Sequence, residues 1–192
     1  MVASIPIGVS AAMEERLVVD KDIEPESIDS TKTALMGPLA ALGDSLEIIG
    51  RSGIAIDADE LFDDIANDSF DAVILPGGPG VYDILEMHPE DAAPLKNILA
   101  RHIEGGKICA AICAAPLVLS EMKLLAGRKC TAHDSVIDRL ENADAAAKVV
   151  RDGNVITSQG AGTAIDFALE ILAALAAGKT ADDIATSIRF KR

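Results

Sequence analysis

The chain has 192 residues, nearly half apolar and a quarter charged, enough for one globular domain with a three-layer core. A formal charge of −14 speaks against nucleic acid or an anionic membrane surface as partner, and no apolar run approaches the ~20 residues of a membrane span. Three cysteines with no CxxC pair make neither a disulfide framework nor a metal site. The N-terminus lacks the basic start of a signal peptide, so a reducing cytoplasm is the expected setting.

The first 50 residues carry the weakest patterns. Ile5–Ser10 is the candidate first strand, although Pro6 and Gly8 interrupt it. Asp22–Ser30 (DIEPESIDS) reads as an acidic loop, Thr31–Leu42 resumes helical spacing, and Leu46–Ile49 reads as the second strand. Further along, Phe70–Leu75 is an apolar run stopped by Pro76-Gly77-Gly78, and Pro89–Glu104 places Ala93, Leu95, Ile98, Leu99 and Ile103 near a helical period. Lys107–Ile112 is a second run, stopped at Cys113; Lys129–Thr131 is a short third, and Asn154–Ser158 a fourth. Thr163–Ala177 reads as a helix ended by Gly178, and Thr180–Ile188 as a last helix with Thr180 as its N-cap. His88 and His102 fall in or beside helical segments and are expected to face solvent. Runs apolar on both faces, alternating with helices, predict an α/β sandwich around a mostly parallel, doubly wound sheet. No internal repeat or linker divides the chain, so residues 1–192 are expected to form a single domain.

Cys113 stands where a strand meets a helix, at the end of the sheet where ligands collect in such folds. A nucleophile on so sharp a turn needs small residues two positions before and after it, the role glycine plays in the G-x-S-x-G elbow. Here Ala111 and Ala115 meet that need, and Pro116 suits the first helical turn. The helix N-terminus would favour the thiolate. The plain alternative is a buried core cysteine, which is the reading for Cys109. The Gly78 and Ala114 N–H groups can together form an oxyanion hole, although a Gly-Gly pair is more commonly just a tight turn. His133, just past Lys129–Thr131, can exchange a proton with the thiol or a substrate; a lone histidine there is more commonly structural.

The segments DAVILPGGPG, AAICAAPLVL, TAHDS and VITSQGAGTAIDFALEIL, in this order and spacing, resemble the ThiJ/PfpI superfamily. The nearest likeness is to the branch of Parkinson disease protein 7 and its bacterial relatives. It runs from about Gly50 to Lys191, leaving residues 1–49 divergent. The resemblance implies a flavodoxin-like, class I glutamine amidotransferase-like sandwich, a homodimer, and a reactive elbow cysteine at Cys113 with His133 beside it and Gly78 and Ala114 as oxyanion donors. It also separates branches. The peptidase elbow has His directly after Cys, where Ala114 stands here, and no histidine follows His133 to supply an amidotransferase triad.

The family also places a glutamate beside the cysteine, typically in an E-E-x-E pattern. Here that segment reads Glu14-Glu15-Arg16-Leu17, and an ungapped match puts Leu17 at the acid position. An alignment through Gly37-Pro38 puts Ala34 there, and Glu24 and Glu26 offer a third possibility; a solvated acidic face explains any of these glutamates equally well. Glu15 is taken as the acid. Ala161 replaces the family's usual proline in Gly160-Ala161-Gly162-Thr163. The implied activity is glyoxalase- or deglycase-type chemistry on a small aldehyde such as methylglyoxal, with no cofactor and no metal. The alternatives are a redox-responsive stress or chaperone-like protein with Cys113 as oxidation sensor, and a family fold retained for dimeric binding.

Overall fold

In the computed structural model, which describes residues 2–4, 37–50, 52–176 and 179–191, the central apolar runs become strands. The main sheet holds β1 (Val2–Ser4), β6 (Ala72–Leu75), β7 (Ile108–Ile112), β8 (Val149–Asp152) and β9 (Val155–Ser158) in the order β1-β6-β7-β9-β8. All neighbours run parallel except β8 and β9. That antiparallel edge is a hairpin turned at Gly153, whose φ of +63° is one that glycine adopts without steric cost.

The two faces of the sheet are apolar in strict alternation, which is why these strands read as continuous hydrophobic runs. Val73 and Leu75 of β6 and Cys109 and Ala111 of β7 enter one core cluster. Ala72, Ile74, Ile108, Ala110 and Ile112 enter another. The first cluster is closed by α1 (Phe62–Ile65), α2 (Gly80–Glu86), α3 (Pro89–Glu104) and α4 (Pro116–Glu121) through Phe62, Val81, Ile84, Leu95, Leu99 and Leu117. The second is closed by α5 (Ala164–Ala176) and α6 (Lys179–Ser187) through Phe167, Ile171, Leu172, Ala181 and Ala185. The result is a three-layer α/β sandwich with helices on both faces, as the sequence predicts.

Several local expectations need correction. Leu46–Ile49 is not a strand of the main sheet: Glu47–Ile49 (β3) pairs antiparallel with Ala55–Asp57 (β4) in a separate hairpin. Its positions alternate between exposed and half-buried, so nothing in its pattern demands a central place. The helical spacing read through Leu42 gives way at Ala40–Ala41 (β2), which pairs parallel with Glu60–Leu61 (β5). Lys129–Thr131 forms no ladder; Cys130 makes a single bridge to Ala143. Helix α5 begins at Ala164 after a 3-10 turn at Ala161–Thr163, and α6 begins at Lys179, so Thr180 lies inside it rather than capping it. The strand expected at Ile5–Ser10 and the loop at Asp22–Ser30 lie outside the described residues.

His102 is the clearest reversal, since it is buried to 1% exposure and does not face solvent. Its Nε2 accepts the Phe70 N–H at 3.2 Å, and its Nδ1–H donates to the Ile98 carbonyl at 2.7 Å. The ring also stacks on Phe70, with centroids 6.2 Å apart. A histidine in the last turn of an amphipathic helix can lie on either face, and only the partners on the neighbouring segment decide which. Burial holds its pKa below the ordinary 6.5, and the Lys107 and Arg101 charges act in the same direction.

Candidate functional site

The turn after β7 is made sharp by one residue. Cys113 adopts φ +66°, the left-handed region that a residue with a Cβ enters at a cost of roughly 1–2 kcal/mol. Hydrogen bonds hold it there from several sides. The Cys113 N–H donates to the Ser158 carbonyl at 2.9 Å, continuing the β7–β9 pairing one residue past the strand end. The Ala115 N–H closes the turn onto the Ile112 carbonyl at 3.2 Å, and Pro116 then opens α4. Ala111 and Ala115 are fully buried, and Ala114 nearly so. Helix α4 has only six residues, so what faces the turn is its local set of N–H groups rather than the summed dipole of a long helix.

Gly77 explains how closely the neighbouring turn approaches. A Cβ at Gly77 would run into the Cys113 Cβ, and would lie 3.0 Å from both the Cys113 Sγ and the Ile112 carbonyl oxygen. Only a glycine lets the end of β6 press against the cysteine in this way. Gly78, the next residue, adopts φ +125°. Neither the Gly78 nor the Ala114 N–H has an acceptor among the described residues. Donors on two turns that converge at a cysteine can receive a developing oxyanion.

His133 is tied to the same turn through its backbone, whose N–H donates to the Cys113 carbonyl at 2.9 Å. Its carbonyl accepts the Val136 and Ile137 N–H groups, fixing the turn that follows. The ring is exposed, with Cδ2 3.5 Å from the place a Cβ would take on Gly160. The Cys113 Cβ and Sγ are each 3.9 Å from that same point, so ring and sulfur share the space over Gly160. Gly160 is itself fixed by a buried knot: its N–H donates to Thr163 Oγ1 at 3.1 Å, and Thr163 Oγ1 meets Ser158 Oγ at 2.7 Å.

The three thiols differ sharply. Cys109 and Cys130 are sealed in the core, and Cys113 is only half-buried. Burial pushes the Cys109 thiol up to about 12, against a weaker pull from Arg128, and burial raises Cys130 as well.

The structure thus brings Cys113, Ala114, Gly78 and His133 into one neighbourhood. Glu15, Glu24 and Glu26 lie outside the described residues. Reading the sequence marked the Pro76-Gly77-Gly78 turn as open to close approach but not Gly77 as the residue against Cys113; it missed Gly160, whose close approach depends on segments distant in the chain, and Ser135, whose contact with His133 follows a local i, i+2 pattern visible in TAHDS. Among the described residues no group of His, Cys, Asp and Glu has the arrangement to hold a metal ion, and no helix is long and apolar enough to cross a membrane.

Comparison with known proteins shows which family the chain resembles in sequence and fold. A glutathione-independent glyoxalase of Caenorhabditis elegans is 32% identical over 174 residues, covering 86% of this chain and 90% of that one. A deglycase of Thermococcus kodakarensis is 35% identical over 119 residues, 60% of this chain and 69% of that one. The DJ-1 homolog B of Arabidopsis thaliana is 38% identical over 136 residues, 70% of this chain but 30% of its own length, so the chain spans only about a third of that plant relative. Among solved structures, Drosophila melanogaster DJ-1beta superposes with a TM-score of 0.74 at 31% identity, covering 81% of this chain and 83% of that one. The oxidized DJ-1 of Toxoplasma gondii superposes at 0.78 and 27% identity, over 100% of this chain and 99% of that one. The model of the DJ-1/PfpI family matches residues 11–174, a span that includes the elbow, the Gly-Gly turn and His133, and the chain belongs to that family.

Proposed function

We propose that the chain is a cysteine-dependent, cofactor-independent glyoxalase- or deglycase-type enzyme acting on small reactive aldehydes such as methylglyoxal. The reading is carried by one observation: a half-exposed cysteine in a left-handed turn at a strand end, with two N–H groups on adjoining turns that have no acceptor among the described residues. The names of two relatives, a glyoxalase and a deglycase, support it.

In this mechanism the Cys113 thiolate forms a C–S bond to the aldehyde carbon, and the carbonyl π pair moves to oxygen. The Gly78 and Ala114 N–H groups stabilise that alkoxide until it is protonated to the hemithioacetal. For methylglyoxal, a base then removes the proton from the former aldehyde carbon, giving an enediol. Reprotonation at the adjacent carbon yields a thioester, and water releases lactate and restores the thiol. Aldehyde and water go in and hydroxy acid comes out, so no redox cofactor is needed. Glu15 is our choice for the carboxylate that carries these protons, with His133 next to the reacting sulfur. A homodimer goes with this reading, as the family resemblance implies.

The test is methylglyoxal consumption by the wild type beside Cys113→Ser and Glu15→Gln. Loss in both variants is the expected result, and turnover that persists in Cys113→Ser sinks the proposal. If Glu15→Gln keeps full activity and Glu26→Gln loses it, the acid is Glu26. A second reading, Cys113 as an oxidation sensor without turnover, is favoured by the exposure contrast among the three thiols. Mild peroxide followed by mass spectrometry should then place oxygen on Cys113 first, in a protein that consumes no aldehyde.

A further inference from the structure

We infer that Ser135 is a positioning residue that holds His133 as its Nε2–H tautomer, so that the ring enters the reaction as a hydrogen-bond donor and does not take the proton of Cys113. This deepens the aldehyde reading above and rests on it for its catalytic meaning.

The inference follows from which atoms can donate. The Ser135 backbone N–H points at His133 Nδ1 over 3.1 Å, and a backbone N–H has no lone pair to offer. Nδ1 is therefore the acceptor, and the single proton of a neutral imidazole sits on Nε2. The Ser135 hydroxyl reaches the same nitrogen at 2.9 Å, and with Nδ1 unprotonated it too must donate. The backbone of His133 is held independently, by its N–H on the Cys113 carbonyl and its carbonyl under Val136 and Ile137. The ring thus has little freedom to turn its other edge toward Ser135.

The opposite edge is the one that matters for chemistry. Cδ2, bonded to Nε2, is the ring atom over Gly160, where the Cys113 sulfur also stands. With its proton already in place, Nε2 has no lone pair to accept a proton from the thiol. It can steady a thiolate or a substrate oxygen by donating a hydrogen bond. The base for Cys113 must then be a different group, which places more of the proton traffic on the carboxylate.

Two-bond ¹H–¹⁵N spectra of histidine-labelled protein test the tautomer without any turnover. The expected wild-type pattern has Nδ1 at the unprotonated shift and Nε2 at the protonated one, in the neutral form of the ring. Ser135→Ala removes the hydroxyl donor but keeps the backbone N–H, so Nε2–H should remain the major form with a measurable Nδ1–H fraction, and Ser135→Thr, which keeps a hydroxyl, should remove that fraction. Methylglyoxal turnover should fall about fivefold in Ser135→Ala at nearly constant KM, what one lost neutral hydrogen bond is worth, and return in Ser135→Thr.

A wild-type proton on Nδ1, or a spectrum unmoved by Ser135→Ala, overturns the inference. The two proposals fail separately. Turnover with the proton on Nδ1 leaves the enzyme reading standing and removes Ser135 from it. An Nε2–H tautomer in a protein that consumes no aldehyde removes the reaction and leaves the positioning of the ring intact.

Discussion

The His133 N–H donates to the Cys113 carbonyl at 2.9 Å, joining two residues twenty positions apart at the point where β7 ends. The bond is between backbone atoms, so it does not depend on the chemistry of either side chain. It means that whatever moves the elbow also moves the histidine. Variants that shift this turn should therefore change the surroundings of sulfur and imidazole together.

Gly77→Ala is the sharpest way to disturb the turn. The added methyl would meet the Cys113 Cβ, so one of the two turns must give way, at a cost of about 1–3 kcal/mol for overpacking. Much of that loss should return in the double variant Gly77→Ala/Cys113→Gly, because the atom being struck is gone. Urea unfolding of the two single variants and the double supplies the cycle. Additive losses would show that the Gly77–Cys113 contact is not the source of the strain.

Cys113 itself stores strain in its φ of +66°. Removing the sulfur should therefore have opposite consequences for stability depending on what replaces it. Cys113→Gly should be more stable than Cys113→Ala by roughly 1 kcal/mol, since relief of the left-handed cost exceeds the entropy that glycine adds to the unfolded chain. Thermal or urea unfolding of the two variants gives the comparison directly, and an alanine variant as stable as the glycine one would count against a strained turn.

Alkylation should separate the thiols by structure. At neutral pH, iodoacetamide should label Cys113 well before Cys109 or Cys130, both fully buried and both with thiols raised by burial. Labelling of the two core cysteines should follow global opening and accelerate with denaturant. Peptide mass spectrometry over time reads all three, and equal rates in native buffer would contradict the burial described here.

His102 makes a prediction about acid. Its folded pKa lies below the unfolded 6.5, so its contribution is full above about 6.5 and declines as pH falls from there to the depressed folded value. Within that window the slope is at most one proton, or about 1.4 kcal/mol per pH unit. The main physical reason is burial, which disfavours the charged ring, with the Lys107 and Arg101 charges acting in the same direction. His102→Gln should lose about 1–3 kcal/mol at neutral pH through imperfect replacement of the buried bonds, and should lack the extra slope below 6.5. Parallel pH-dependent curves for wild type and variant would remove His102 as their cause.

The strand-turn-helix around Cys113 was legible because its constraints are local. A buried strand announces itself by residues apolar on both faces, and a crowded turn by small neighbours at fixed offsets, so Lys107–Met122 could be read without knowing what surrounds it. The same holds for α3 and α5, whose periodicity persists over several turns. The short hairpin at Glu47–Asp57 was not legible in this way, since half-buried strands of three residues carry no signal about which sheet they join.

What the sequence by itself determined is thus the layered α/β arrangement and the place of one cysteine on a tight turn at a strand end. Only the tertiary structure decided that Gly77 is pressed on Cys113, that His133 hangs from the Cys113 carbonyl, and that His102 faces inward. Each of these depends on contacts between segments far apart in the chain. Local spacing describes what a segment can form; the partner that satisfies a donor, or forbids a Cβ, exists only once the segments are packed together.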